Sequence, residues 1–292
     1  MKSSYKLAIW LLAGLLFQTS FYFYLDRVLF APATSFQVSA VTEAHAVVDG
    51  KTYYSRNKQY MAIVKDESVE IYETSPKSLL RSIPLNNQKV SYFKWLEDRD
   101  LALMAVYADN TAKDAAKVVL TQINPHSNGH QLATTIDKLP AGSKITDVAY
   151  STATNVIYMQ VLVASGPEQF RVYRTDANQD LNRVYLSGTR IGRIGVLYDQ
   201  DSLIYDNLAE GIVYVRNGDG SWRVISPYGA KYNLVGVDGK NNIYLAKINA
   251  QGLAETVLKG KLKVGFELDR TLTKPTDVRF LTMEAAEATV KK

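Results

Sequence analysis

Three histidines and no cysteine are the only soft-metal chemistry available to this chain of 292 residues. His126 and His130, in INPHSNGHQ, stand four apart, as two zinc ligands would on one face of a helix, but Pro125 and Gly129 make the stretch a turn. His45 falls in an extended run, where it packs or faces water. DANQDLN, from Asp176, begins like a calcium loop with oxygen donors at alternate positions. Leu181 stands where the turn glycine belongs, however, and Ser187 where a bidentate glutamate would close the shell. Asn and Asp are also ordinary residues of strand turns, so neither a metal site nor a cofactor is expected.

Covalent and acid–base catalysis find as little support. The G-x-S-x-G elbow, H-E-x-x-H, the P-loop and G-x-G-x-x-G are all missing, and without cysteine there is neither a thiolate nucleophile nor a disulfide. The carboxylate pairs Asp98 with Asp100 and Asp199 with Asp201 lie between strands and read as turn acids. GDGSW, Gly218 to Trp222, is one residue short of the Asp-box of sialidase-type propellers and reads as a hairpin turn. No catalytic residue is assigned.

One constellation could bind. Lys89, Lys144, Arg190 with Arg193, Lys231 and Lys274 each lead into the strand that opens a repeated unit. If those strands share an axis, the cations form a ring at one mouth, suited to phosphate, carboxylate or an acidic protein surface, with Asp147 and Asp277 nearby to offset part of the charge. The formal net charge of +5 is too diffuse to point to nucleic acid.

The elements that would position these residues are strands. The 19 tyrosines suit half-buried pleated surfaces, and beyond Pro32 the pattern alternates with almost no helical period. ITDVAY, NVIYMQVLV, QFRVYRTD and NRVYL form one four-strand unit. RIGVLYD, SLIYDN, GIVYVRNG and SWRVIS repeat its order, as do YNLVGVDG, NNIYLAKIN, LAETVLKG and KLKVGFEL. Upstream, KVSYFKW with its following strands fits the frame, with an insertion around residues 110–116. QYMAIVKD, SVEIYETS and LLRSIPL supply three strands of another unit. A period of roughly 40–50 residues with four strands each predicts a β-propeller; a β-sandwich is the rival all-β class. KPTDVRFL, from Lys274, repeats the phrase KITDVAY and predicts the inner strand of a last blade. FQVSAV and AHAVVDG, near the amino terminus, would complete that blade. The ring would hold five or six blades, closed by both chain ends so that no sheet edge is left bare.

Residues 7–25 form an uncharged run of nineteen after Lys2 and Lys6, spanning roughly 28 Å as a helix. Phe21 to Tyr24 place aromatic rings at its far end, and the positive flank puts residues 1–6 in the cytoplasm. The expected order is a transmembrane signal-anchor at 7–25, a linker at 26–35, the propeller at 36–282 and a tail at 283–292. Gln18, Thr19 and Ser20 keep a cleaved signal as the alternative. The chain has no N-x-[ST] triplet, which favours a bacterial source.

DVAYSTATNVIYMQ, a strand ending in Tyr-Ser, a turn and an Ile-Tyr strand, resembles the repeat of bacterial TolB-like and peptidase-type propellers, a likeness extending over most of residues 36–282. The tryptophan–aspartate dipeptide and the kelch double glycine are missing, and AVVDGK and GVDGKN keep only the Asp-Gly of the TolB-like turn. The resemblance implies binding and scaffolding outside the cytoplasm. The expected function is a membrane-anchored scaffold binding a protein or an anionic wall polymer. The alternatives are an extracytoplasmic enzyme acting on wall glycans or peptides, and a structural subunit of an envelope complex.

Overall fold

The computed structural model describes Gln18 and residues 50–108, 116–127, 133–164 and 167–283. The chain divides into two units, Met1–Val48 and Asp49–Lys292. The expected anchor, linker and closing strands at Phe36 and Ala44 lie outside the described residues, among which no helix is long and apolar enough to cross a membrane.

The second unit is built from five four-stranded antiparallel sheets, each made of four consecutive strands. The first sheet holds β1 (Lys51–Tyr54), β2 (Tyr60–Val64), β3 (Ser68–Thr74) and β4 (Lys77–Pro84). The second holds β5 (Gln88–Trp95), β6 (Ala102–Ala108), β7 (Ala116–Ile123) and β8 (Ala133–Leu139). The third holds β9 (Lys144–Ser151), β10 (Val156–Val163), β11 (Gln169–Thr175) and β12 (Asn182–Val184). The fourth holds β13 (Ile191–Val196), β14 (Ser202–Asn207), β15 (Ile212–Asn217) and β16 (Trp222–Val224). The fifth holds β17 (Lys231–Val237), β18 (Ile243–Ile248), β19 (Ala254–Lys261) and β20 (Gly265–Thr276). The three strands expected for the first sheet are β2 to β4; β1, KTYY, completes it.

First strands of successive sheets lie side by side, β1 by β5, β5 by β9, β9 by β13 and β13 by β17, the inner-strand arrangement of a propeller. Second strands are rich in apolar residues; all six residues of β14, SLIYDN, are buried, and its polar Ser202, Asp206 and Asn207 are hydrogen-bonded within the chain. Four apolar clusters fill the spaces between neighbouring sheets, such as Leu103, Leu120, Ile145 and Met159 between the second and third. Each large side chain so buried stabilises the fold by roughly 1.5–3 kcal/mol. Two of the turns between first and second strands place asparagine at a left-handed position: Asn155 has φ 53° and Asn241 φ 62°. Inner strands of the last four sheets each carry a bulge, with the ladder shifting register at Ser91, at Thr146, at Gly192 and Arg193, and at Val235.

KPTDVRFL does not open a sixth blade. Lys274 to Thr276 complete β20, the outermost strand of the fifth sheet, where Thr276 pairs with Ala254 of β19. The alternating residues of β20 let it follow β19 along its length. Asp277 then accepts a hydrogen bond from the Arg279 amide and caps a 3-10 turn over Val278–Phe280. Val278 and Leu281, each 7% exposed, pack on Val235, Tyr244 and Val257 as a fifth apolar cluster. The carboxyl-terminal segment thus caps its own sheet as a plug instead of adding a strand to another.

Candidate ligand-binding site

Five of the six candidate cations stand where the repeat puts them. Lys89 is the second residue of β5, Lys144 and Lys231 begin β9 and β17, Arg190 precedes β13 and Arg193 lies within it. Lys274 belongs to an outer strand and does not open an inner one. Arg193 is engaged by the chain itself. Its guanidinium donates to the carbonyls of Val235 (2.7 Å), Leu281 (2.8 Å), Val278 (2.9 Å) and Arg279 (3.0 Å), clamping the plug to β17. Behind it, buried Asp206 accepts from the amides of Arg193 (2.6 Å) and Leu234 (3.1 Å), and burial pushes its carboxyl up to about 6. Burial also raises Asp147, which accepts from the amides of Val148 and Ile194.

The turn acids lie at the other end, where first strands finish. Asp201 accepts the Tyr158 hydroxyl (2.5 Å) on one oxygen and the Arg174 fork (2.8 and 3.0 Å) on the other, joining the third sheet to the fourth. Asp176 takes another Arg174 nitrogen at 3.0 Å, which holds its carboxyl below the usual range. Asp219, in GDGSW, accepts from the Ser221 amide within the β15–β16 hairpin. His126 meets the Tyr60 hydroxyl at 2.8 Å and packs edge-on to that ring; His45 and His130 lie outside the described residues.

At this end the turns between first and second strands are linked from sheet to sheet. The Glu97 amide donates to the Tyr150 hydroxyl (2.9 Å), the Ser151 hydroxyl donates to the Tyr198 carbonyl, and the Tyr198 amide donates to Asn241 Oδ1 (2.6 Å). Asn241 Nδ2 also donates to Asp199 at 2.7 Å. These bonds carry one sheet's turn onto the next from the second sheet to the fifth.

Between the second and third sheets this face opens into a cleft of about 350 Å³, at the lower end of ordinary ligand pockets. Its third-sheet wall is a cross-strand row, Tyr150 on β9 opposite Ile157 on β10, with Ile157 opposite Thr175 on β11. Directly opposed residues share a face of the sheet; of the three, Tyr150 and Ile157 line the cleft and Thr175 is buried away from it. The second-sheet wall is the opposed pair Leu103 and Gln122, with Leu96 beside them. Arg99, Thr152, Asn155 and Asp176 form the rim. Burial pushes the Tyr150 hydroxyl up to about 12, keeping it a neutral donor. Burial works to raise Asp98, but bonds from Thr152 and Arg99 outweigh it and hold the carboxyl low.

The sequence reading missed this cleft. Its lining is drawn from two sheets and mixes amides, hydroxyls, aliphatics and the ion-paired Arg99 and Asp176, which together form no motif. The one available signal was the Tyr-Ser ending of β9, which supplies both Tyr150 and the Ser151 link.

No protein-family model and no curated protein matches the chain. Among solved structures it is similar to streptogramin B lyase, at 10% identity and TM-score 0.50, over 79% of this chain and 72% of that one. The WD40 domain of SCAP from fission yeast gives 17% identity and TM-score 0.49, over 80% of this chain and 53% of that one. A luciferin-regenerating enzyme gives 12% and 0.45, over 77% and 75%. At 10% identity the likeness to streptogramin B lyase concerns the fold alone, and it agrees with the five sheets in placing the chain among β-propeller architectures.

Proposed function

We propose that the protein is an extracytoplasmic binding scaffold of the cell envelope, held in the membrane by residues 7–25 and presenting one end of a β-propeller to a protein or polymer partner. The interlocked turn face carries the binding part of this reading: side chains on turns fixed by sheet-to-sheet bonds form the kind of preorganised loop surface on which recognition concentrates. The membrane part rests on the uncharged run after Lys2 and Lys6. The TolB-like likeness of DVAYSTATNVIYMQ agrees with it, since that segment forms β9, its turn and the start of β10. At the opposite end Lys89, Lys144, Arg190 and Lys231 offer charge to an anionic wall polymer.

A photo-crosslinking residue at exposed Ala153, on the turn face, tests this in the full chain in its native membrane, with exposed Glu67 at the opposite end for comparison. The expected result is a discrete protein adduct from Ala153 and retention of the chain in membranes after alkaline carbonate washing. A chain washed free by carbonate, or one giving no adduct from Ala153, refutes the proposal.

A further inference from the structure

We infer that the cleft between the second and third sheets binds an extended peptide, seating one aliphatic side chain on Leu96, Leu103 and Ile157 while the Gln122 and Asn155 amides pair with the peptide backbone. This rests on the binding reading of the turn face and names the ligand class for one site on it.

The argument begins with hydrogen bonds left unmade. Among the described residues no partner reaches the side-chain amide of Gln122, which is half-buried in the second-sheet wall, or that of Asn155 on the facing rim. The Tyr150 hydroxyl accepts the Glu97 amide, and its own proton has no acceptor among those residues. Away from the cleft, turn side chains such as Asp201, Asn241 and Asp238 already bond within the chain. Asn155 is exposed and Gln122 half-buried, and no protein group competes for either amide, so a ligand entering the cleft can take both; each bond so made is worth about 0.5–1.5 kcal/mol.

The kinds of group decide the ligand. A primary amide presents a donor and an acceptor side by side, which matches the N–H and C=O that each peptide unit offers. Two such amides on facing sides of the cleft suit a strand running between them. The apolar surface is branched and aliphatic, from Leu96 and Leu103 (5% and 2% exposed) and Ile157, a shape that takes a leucine-like side chain. A sugar ring prefers a flat aromatic face, and Tyr150 is the one aromatic residue in the lining. Arg99 and Asp176 stand at the rim already paired with Asp98 and Arg174, so the ends of the ligand carry no demand for net charge.

The test titrates the full chain with the capped tripeptide acetyl-Ala-Leu-Ala-amide, following the side-chain amide signals of Gln122 and Asn155 by NMR. The parallel titrations use acetyl-Ala-Asp-Ala-amide, the leucine peptide N-methylated at its central amide, and chitotriose. The leucine peptide should move both amide signals. Gln122→Ala should weaken its binding by about tenfold, the value of one hydrogen-bonded pair. Ala177→Trp, at an exposed rim position, should block the cleft and abolish binding. Equal response to the aspartate or N-methylated peptide, preferential binding of chitotriose, or unchanged binding in Ala177→Trp would each overturn the inference. The peptide titration is independent of the crosslinking experiment: loss of the Ala153 adduct with peptide binding intact removes the scaffold reading alone, and an adduct without peptide binding removes the cleft assignment alone.

Discussion

Replacing Arg193 by lysine separates a cation that serves as charge from one that serves as a clamp. Its guanidinium serves four backbone carbonyls, three of them in the plug and one on β17. A bond to a charged donor is worth about 1.5–3 kcal/mol, and four on one group do not add, so Arg193→Ala should cost about 3 kcal/mol. Arg193→Lys keeps the charge but replaces a planar fork with a compact ammonium on a shorter stem, so it should lose more than half of that stabilisation. If the plug lifts, Val278 and Leu281 are re-exposed at roughly 1.5–3 kcal/mol each, and this sets the upper limit. The assays are the urea midpoint and tryptic cleavage after Arg279, whose backbone the clamp holds. A local opening made easier by about 3 kcal/mol speeds cleavage on the order of a hundredfold where opening is in fast equilibrium. A lysine variant matching the parent in both midpoint and cleavage would refute the clamp and return Arg193 to the role of a mouth cation.

Asp206 sets a second expectation. Its folded pKa of about 6 lies above the ordinary carboxylate value, so the folded state holds the proton more tightly, and stability contributed below pH ~4 is lost as pH rises through ~6, by at most about 3 kcal/mol. Asp206→Asn should flatten that slope relative to the parent in urea titrations from pH 4 to 7.5. It should also cost about 1–3 kcal/mol at neutral pH, because one buried backbone amide loses its acceptor. Ser151→Ala removes the bond from the third sheet's turn to the Tyr198 carbonyl and should lower the urea-derived stability by about 0.5–1.5 kcal/mol. Gly195→Ala should cost about 1–3 kcal/mol in the same assay, since a Cβ there would sit 2.7 Å from Val237 Cγ2, where β13 and β17 approach.

Strand order was legible because second strands such as YMAIV and ALMAVYA are almost wholly apolar and short polar turns separate the strands. Turn residues such as Asn155 and Gly211 mark where each hairpin reverses. KTYY was passed over because four residues with one half-buried position give no period to read. KPTDVRFL misled because local likeness to KITDVAY says nothing of register: β19 already offered a free edge, and pairing with it decided the outcome. At the end opposite the turn face, the positions of the basic residues could be read from the repeat, but their partners could not. That Arg193 spends itself on carbonyls some 85 residues away is a fact of tertiary packing. The cleft was unreadable for the same reason, since Gln122 and Asn155 acquire a common purpose only once two sheets face each other.

The bulges of the inner strands have a consequence for how this architecture can change. Ser91, Thr146, Arg193 and Val235 occupy one station in four successive repeats, yet they share neither size nor polarity. What recurs is an irregularity of the main chain, which turns a peptide unit aside so that the following repeat can be gripped. Drift is then free to rewrite the letters at that station while the count of residues is held. A molecule built this way can keep its shape long after its repeats have ceased to spell alike.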